Sequence, residues 1–267
     1  MTLQLKDKVV VITGGSSGIG LGIAHRFATE GAKLLLCARG EDALASAAHS
    51  IAKETGAEVH WVSADVKIPE QVDRLRDALV EKYGTIDVLI NNAGTGIYKP
   101  FLEVTEEDLE RGMSLNFIAQ FRVTQRFVPL MIKQGKGSIV NIAGCSGMQV
   151  LDPPFFSTCS GPAKAAEIRF TKALAAEIGV HGIRVNCVAP NFTEVPERTD
   201  KWLAQMSEGT SLSAEETKRR WANRVVLPGK PWASIENVAD TVAFAASPLA
   251  GYTTGQVFVI DGGFGRD

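Results

Sequence analysis

A glycine-rich turn with the composition of a phosphate-binding loop follows the first hydrophobic run of the chain. Its residues are Gly14, Ser16, Ser17, Gly18, Ile19 and Gly20. Glycines let the backbone approach a pyrophosphate closely, and the N–H groups at the start of the next helix favour negative charge. Because the turn lies between a buried strand and a helix, it is more than an ordinary tight turn. It predicts a dinucleotide-binding site.

The end of the second predicted strand indicates which dinucleotide binds. An acidic side chain there accepts hydrogen bonds from the ribose hydroxyls and repels a 2′-phosphate. This chain has no acid at that point and carries Arg39 instead. A guanidinium group is a planar fork of donors suited to phosphate. We therefore favour NADP, and NAD remains the alternative.

Further motifs recur in a fixed order along the chain. The turn reads Thr-Gly-x-x-x-Gly-x-Gly, and the later motifs are Asp65-Val66, Asn91-Asn92-Ala93-Gly94, Asn116 within MSLNF, and Asp261-Gly262-Gly263. Together they resemble the short-chain dehydrogenase/reductase family over about residues 5 to 264. The resemblance implies that Asp65 and Val66 contact adenine and that Asn92, Ala93 and Gly94 border the cofactor.

The resemblance also implies a serine, a tyrosine, a lysine and an asparagine that reduce or oxidise a carbonyl group. Lys164 matches the lysine that holds the nicotinamide ribose, and Asn116 matches the asparagine that holds a water. Ser160 stands four residues before Lys164, where the family has its tyrosine, and Gly144 stands at the serine position. Ser146 supplies a hydroxyl two residues later. The catalytic site is therefore expected to be atypical.

The missing tyrosine requires another proton donor. An aliphatic alcohol is a far weaker acid than a phenol, and losing a positioned general acid costs roughly 10²–10⁴ in rate. The candidate replacements are Tyr98, Cys145, Cys159 and Asp152. The two thiols are candidates because a nearby lysine and a cationic ring favour ionisation. A similar case exists: 2,4-dienoyl-CoA reductases keep the lysine and have serine at the tyrosine position.

Two departures concern the cofactor itself. Many NADP-using members of the family carry a basic residue in the glycine turn, where this chain has Ser16 and Ser17. After the sixth strand the usual Pro-Gly is Pro190-Asn191, and the family's threonine that contacts the nicotinamide amide is missing. Thr193 is the candidate replacement, in a different register.

The elements that position these residues alternate regularly. Strands are predicted at residues 8–13, 33–37, 58–62, 86–90, 138–142, 184–188 and 256–260, and helices at 19–30, 42–53, 69–83, 105–132, 163–178 and 235–246. Strands separated by helices imply parallel βαβ units with right-handed crossovers. We predict an α/β fold: a single doubly wound Rossmann domain over residues 1–267, with a seven-stranded parallel sheet and helices on both faces.

One segment, residues 191–231, interrupts this alternation. It carries two short helical patterns, at residues 197–206 and 214–222, with Trp202 and Trp221 among apolar neighbours. The tryptophans either anchor the segment or form an apolar wall for a substrate. We predict a helical substrate loop or lid, since long excursions from a compact domain are usually functional. The aromatic residues suggest an apolar substrate.

The amino-acid composition limits the kinds of molecule that the protein is expected to bind. Lys and Arg total 28 and Asp and Glu total 30, so the net charge of −2 gives no electrostatic footprint for nucleic acid or an anionic membrane. No secretory signal or membrane-spanning stretch is expected, and the four cysteines match no zinc pattern, so we predict no metal and a cytoplasmic location. The resemblance implies a homodimer or homotetramer formed through the helices at 105–132 and 163–178.

Four functions remain open. The first is an NADP(H)-dependent oxidoreductase acting on an apolar ketone or conjugated enone. The second is a nucleotide-binding protein without hydride transfer. The third is a lyase or hydratase on the same fold. The fourth is an ordinary carbonyl reductase silenced by inactivating substitutions at positions 144 and 160.

Overall fold

Seven parallel strands form one sheet in the computed structural model, which describes residues 2–150, 156–208, 212–228 and 232–265. The strands are β1 (Val9–Thr13), β2 (Lys33–Ala38), β3 (Val59–Ser63), β4 (Val88–Asn91), β5 (Gly137–Ile142), β6 (Ile183–Pro190) and β7 (Val257–Ile260). Their order is β3-β2-β1-β4-β5-β6-β7. The strand order reverses between β1 and β4, which opens a crevice at their carboxyl ends. The predicted doubly wound fold is confirmed.

Helices cover both faces of the sheet. They are α1 (Gly18–Thr29), α2 (Glu41–Thr55), α3 (Pro69–Tyr83), α4 (Glu106–Met113), α5 (Ala119–Gln134), α6 (Ser160–Ile178), α7 (Pro196–Glu208), α8 (Ala214–Ala222) and α9 (Ile235–Ala246). In the described part of the chain, every helix is too short or too polar to cross a bilayer. No cluster of metal-ligating side chains occurs there either.

Two hydrophobic cores sandwich the sheet, and β1 contributes to both. All five residues of β1 are buried. Val10 and Ile12 pack in the core that α1 and α9 share, whereas Val9 and Val11 pack in the core of α3 and α5. Successive side chains of a strand point to opposite faces, so a strand covered on both faces is apolar at every position. This explains the uninterrupted hydrophobic run before the glycine turn.

One predicted helix is divided in the structure. The helix expected at 105–132 consists of α4, a π turn at Ser114–Ile118, and α5. A periodicity of apolar residues does not show a single wider turn, so the sequence did not reveal it. The π turn carries the buried Asn116. The prediction of α6 was also wrong by three residues, because Pro162 fits in the first helical turn and the helix starts at Ser160.

The segment 191–231 contains α7 and α8, close to the two predicted patterns, although residues 209–211 and 229–231 lie outside the described residues. A separate apolar cluster holds these helices to the body. Its buried members are Phe192, Leu203, Trp221, Trp232 and Phe264. The Trp221 ring stacks on Phe264 with centroids 4.6 Å apart. The tryptophans therefore anchor the segment to the rest of the domain, as one of the two alternatives predicted. The function of the segment as a lid stays a prediction.

Candidate active site

One cavity of about 600 Å³ lies along the carboxyl ends of the strands. It brings together nearly all the residues that the sequence predicted. These are Gly14, Ser16, Ser17, Ile19, Gly20, Arg39, Asp65, Val66, Asn92, Ala93, Gly94, Tyr98, Ser146, Ser160, Lys164, Pro190 and Thr193. Gly18 and Asn116 lie close by, outside its lining.

The glycine turn is held tightly against the end of β4. A Cβ atom on Gly20 would lie 2.1 Å from the Gly14 carbonyl oxygen, so only glycine fits there. The Asn92 side-chain amide donates to the carbonyls of Thr13 (3.0 Å) and Gly14 (3.3 Å). Helix α1 begins without a side-chain cap and without an acidic residue in its first turn. Its N-terminal N–H groups therefore suit an anion in the cavity.

Two arginines stand at this end of the cavity. Arg39 is exposed at the rim, beyond β2. Arg198, on α7, also lines the cavity, and its Nη2 donates to Ser17 Oγ at 3.4 Å. The sequence analysis missed Arg198, since its contact spans 181 residues and no local pattern marks it. The structure thus adds a second cation beside the glycine turn.

The loop after β4 is fastened by two buried side chains. Asn116 accepts a hydrogen bond from the Thr95 N–H (2.8 Å) and donates to the Thr95 carbonyl (3.0 Å). Ser160 Oγ accepts from the Ile97 N–H (2.7 Å) and donates to the Ile97 carbonyl (3.0 Å). Ser160 is 2% exposed, and its hydroxyl hydrogen is therefore engaged in a hydrogen bond to the backbone rather than directed at the cavity. The small hydroxyl side chain at position 160 therefore fastens the loop after β4 to the start of α6.

Lys164 is paired with a carboxyl group that the sequence analysis overlooked. Its Nζ donates to Glu167 Oε1 (3.1 Å), Glu167 Oε2 (3.2 Å) and the Ile142 carbonyl (3.1 Å). The Glu167 side chain is only 2% exposed and the Lys164 side chain 13% exposed. Burial raises the pKa of Glu167 to about 7, although Lys164 opposes the shift. The i,i+3 spacing on α6 was the available sequence signal.

Gly144 and Ser146 share one corner of the cavity. A Cβ atom on Gly144 would meet nothing closer than the Pro190 carbonyl at 3.7 Å, and it would lie 3.8 Å from Ser146 Oγ. The backbone at Gly144 is extended. The Ser146 hydroxyl therefore lies close to the place where a side chain at position 144 would project.

The remaining candidate proton donors are poor acids. Burial raises the pKa of Tyr98 and of Cys145 to about 12, and burial also raises the pKa of Cys159. The expectation of partly ionised thiols was therefore wrong: Cys145 Sγ donates to the Ala189 carbonyl and Cys159 Sγ to the Asp108 carbonyl. Cys159 does not line the cavity. Asp152 lies outside the described residues.

The end of β6 closes the cavity near Lys164. Thr193 is buried, its hydroxyl donates to the Asn191 carbonyl at 3.3 Å, and its backbone pairs with Ala233. The side-chain Nδ2 of Asn191 is buried and has no partner in the described part of the chain. Because Asn191 lines the cavity, this unpaired donor fits a ligand amide or carbonyl group. From the sequence, Thr193 rather than Asn191 was predicted for such a contact.

Aromatic rings form part of the cavity wall. Phe192, Trp202 and Trp221 line the cavity together with Tyr98. The Phe192 ring lies edge-on to Trp202 and Trp221, at centroid distances of 5.7 and 4.3 Å. The same rings therefore anchor α7 and α8 and face the cavity.

Known proteins match this chain over its whole length. A family model described as enoyl-(acyl carrier protein) reductase matches residues 14–265. The 3-oxoacyl-[acyl-carrier-protein] reductase FabG of Chlamydia muridarum is 36% identical over 265 residues, which cover 98% of this chain and 99% of that protein. The chain belongs to the short-chain dehydrogenase/reductase family.

Solved structures of the family share the fold closely. The L-sorbose reductase of Gluconobacter frateurii, in complex with NADPH and L-sorbose, has a TM-score of 0.90 at 34% identity and full coverage of both chains. A variant of the actinorhodin polyketide ketoreductase with NADPH also has a TM-score of 0.90, at 33% identity and full coverage. Membership in the short-chain dehydrogenase/reductase family makes this chain an oxidoreductase by family, and the predicted resemblance is confirmed.

Proposed function

We propose that the protein is an NADP(H)-dependent oxidoreductase that acts on an apolar ketone or a conjugated enone with an atypical catalytic site. One observation carries the proposal: a single cavity is lined by the glycine turn, by Lys164 and by a group of aromatic rings. The glycine turn suits a dinucleotide and the aromatic rings suit an apolar substrate.

The residues present fit NADP. The uncapped start of α1 suits the pyrophosphate, and Arg39 and Arg198 offer guanidinium forks to a 2′-phosphate. The unpaired Asn191 amide suits the nicotinamide carboxamide. NADPH in the solved sorbose reductase and polyketide ketoreductase supports the same choice.

When bound, the reduced nicotinamide supplies a hydride. The chain's own residues do the rest. Lys164 lines the cavity and presents a cationic N–H group to it. Ser146 Oγ donates a hydrogen bond to the substrate oxygen. The rings of Phe192, Trp202 and Trp221 exclude water, which strengthens both interactions.

A second candidate, nucleotide binding without hydride transfer, rests on the Ser160 hydroxyl being bonded to Ile97. The deciding experiment follows NADPH absorbance with a panel of apolar ketones and enones, alongside direct NADPH binding. We expect binding and turnover in the wild type. Gly20→Ala should lose both, since its Cβ would overlap the Gly14 carbonyl, whereas Gly179→Ala, in open space, should keep both. Binding without turnover on any substrate would favour the second candidate.

We also propose a homodimer or homotetramer formed through α4, α5 and α6. The side chains of Leu109, Ile118 and Phe121 are 44 to 45% exposed on this face. The Phe121 ring lies 5.3 Å from that of Phe170 on α6, so the apolar surface continues across the helices. Such a patch is typical of an interaction site. All four cysteines are free thiols, which agrees with the proposed cytoplasmic location.

A further inference from the structure

Lys164 and Glu167 form a largely buried ion pair beside the cavity. Both carboxylate oxygens contact Nζ at 3.1 and 3.2 Å, and the Ile142 carbonyl contacts it at 3.1 Å. An ammonium has three N–H donors. The two oxygens of the one carboxylate can share a single N–H and the Ile142 carbonyl takes a second, which leaves one donor for the cavity. Glu167 itself does not line the cavity, so its contact with any ligand there runs through Lys164.

The other hydroxyl, phenol and thiol groups near Lys164 are unsuited to proton donation. Ser146 is an aliphatic alcohol, a far weaker acid than a phenol, so it can donate a hydrogen bond to the substrate oxygen but not a proton. Ser160 donates to the Ile97 carbonyl, and burial raises the pKa of Tyr98 and Cys145 to about 12. The remaining polar hydrogens on Asn116 belong to an amide, and those point to Thr95. Lys164 is thus the described group that faces the cavity with an acidic proton.

We propose that Lys164 is the proton donor of this site and that Glu167 is the positioning residue that fixes Lys164 and controls its charge. This inference rests on the proposed reductase function. Without a counter-charge, burial beneath an apolar substrate would disfavour the ammonium form. Glu167 provides that counter-charge from the protein interior.

The reduction adds a hydride and a proton to the substrate. The substrate carbon accepts the hydride, the carbonyl π pair moves to oxygen, and that oxygen takes a proton as an N–H bond of Lys164 breaks. Lys164 is left as an amine. It regains a proton from the Glu167 carboxyl group when that group is protonated, and from water in the cavity otherwise.

Few other titratable groups act on the pair. Cys187, on β6, senses the charges of both Glu167 and Lys164, and Cys145 in the turn after β5 neighbours Cys187. Asp261, after β7, acts on Cys145. Burial raises the pKa of both thiols to about 12, so they stay neutral. The charge that changes near neutral pH is therefore that of Glu167.

The direction of the pH effect follows from this. Below about pH 7 Glu167 is protonated, and Lys164 then has no counter-charge beside it. Above it, the carboxylate stabilises the charged form of Lys164 and slows proton donation. Reduction by the wild type is expected to fall as pH rises through about 7. Glu167→Gln removes the titrating group, so its rate should stay level across this range.

A second readout needs no substrate. The protein is acetylated with acetic anhydride at a series of pH values, and mass spectrometry compares Lys164 with Lys172, an exposed lysine on the same helix. In Glu167→Gln the Lys164/Lys172 ratio should rise about tenfold or more above pH 7, since no carboxylate then stabilises the unreactive ammonium form of Lys164. Glu177→Gln, an exposed carboxyl on α6, should leave the ratio unchanged.

The outcomes separate the two proposals. A Lys164 ratio that is the same in wild type and Glu167→Gln, or a pH profile of turnover that Glu167→Gln does not alter, overturns the role of Glu167. Absence of turnover in every variant, with the acetylation shift present, contradicts the proposed reductase and not the pair. Should Glu167→Gln fold poorly, the wild type alone decides: its ratio should fall as pH rises through about 7, and a constant ratio overturns the proposal.

Discussion

At the residue scale, Ser160 has a structural role: its side chain fastens the loop after β4. Its hydroxyl makes two hydrogen bonds with the Ile97 backbone in a buried setting. Ser160→Ala would leave the Ile97 N–H and carbonyl groups without these partners. We expect the free energy of unfolding, measured by urea denaturation, to fall by about 1–3 kcal/mol. Ser50→Ala, on the exposed face of α2, is the control and should change it far less. Equal losses would contradict the structural role of Ser160.

Arg39 governs cofactor choice at the same scale. If its guanidinium binds the 2′-phosphate, Arg39→Asp should weaken NADPH binding and leave NADH binding unchanged or improved. Loss of a charge-assisted pair predicts about a tenfold or greater drop in the NADPH/NADH affinity ratio, measured by calorimetry. Arg74→Asp alters an exposed arginine on α3, outside the cavity lining, and serves as the control. An unchanged ratio in Arg39→Asp would refute the assignment.

At the scale of elements, α7 and α8 connect the aromatic wall to the glycine turn. Arg198 on α7 reaches Ser17 at the start of α1. NADPH binding should therefore protect α7 from limited proteolysis. In Arg198→Ala the protection should weaken and the Kd for NADPH should rise about tenfold. Arg219→Ala on α8, outside the cavity lining, should behave like the wild type. Equal protection in both variants would show that Arg198 does not link lid and cofactor.

The elements were predictable from sequence where one local pattern decides them. The two helices at Pro69–Tyr83 and Ile235–Ala246 match the predicted bounds, because apolar periodicity and clear boundary residues agree there. The cofactor end of the cavity was predictable too, since its motifs are contiguous. The Asn116 and Ser160 bonds, Arg198 and Glu167 were not, because each depends on which distant backbone or side chain the fold brings near. The π turn likewise leaves no mark on an apolar pattern.

For the whole molecule, Glu167 couples stability to pH. Burial raises its pKa from an ordinary 4.5 to about 7 in the folded state. The folded protein then binds a proton that the unfolded chain releases, so this contribution is present below about pH 4.5 and is lost as pH rises through about 7. The free energy of unfolding of the wild type, relative to Glu167→Gln, should fall on the order of 3 kcal/mol across that range. A flat difference would contradict the shift.

Assembly is the other property of the whole molecule. Phe121→Glu places a charge in the apolar face of α5 without disturbing a fully buried side chain. If the proposed oligomer forms there, light scattering should show a smaller species at the same concentration. Lys133→Glu, near the end of the same helix, tests the charge change alone. An unchanged mass for Phe121→Glu would place any interface elsewhere.

The open corner at Gly144 and the loop that Ser160 fastens differ in how readily each accepts a new side chain. A Cβ atom at 144 makes only ordinary contacts on extended backbone, whereas a tyrosine at 160 must displace a hydroxyl that fastens Ile97. Gly144→Ser should therefore be tolerated without further change, while Ser160→Tyr should require compensating changes between residues 94 and 98.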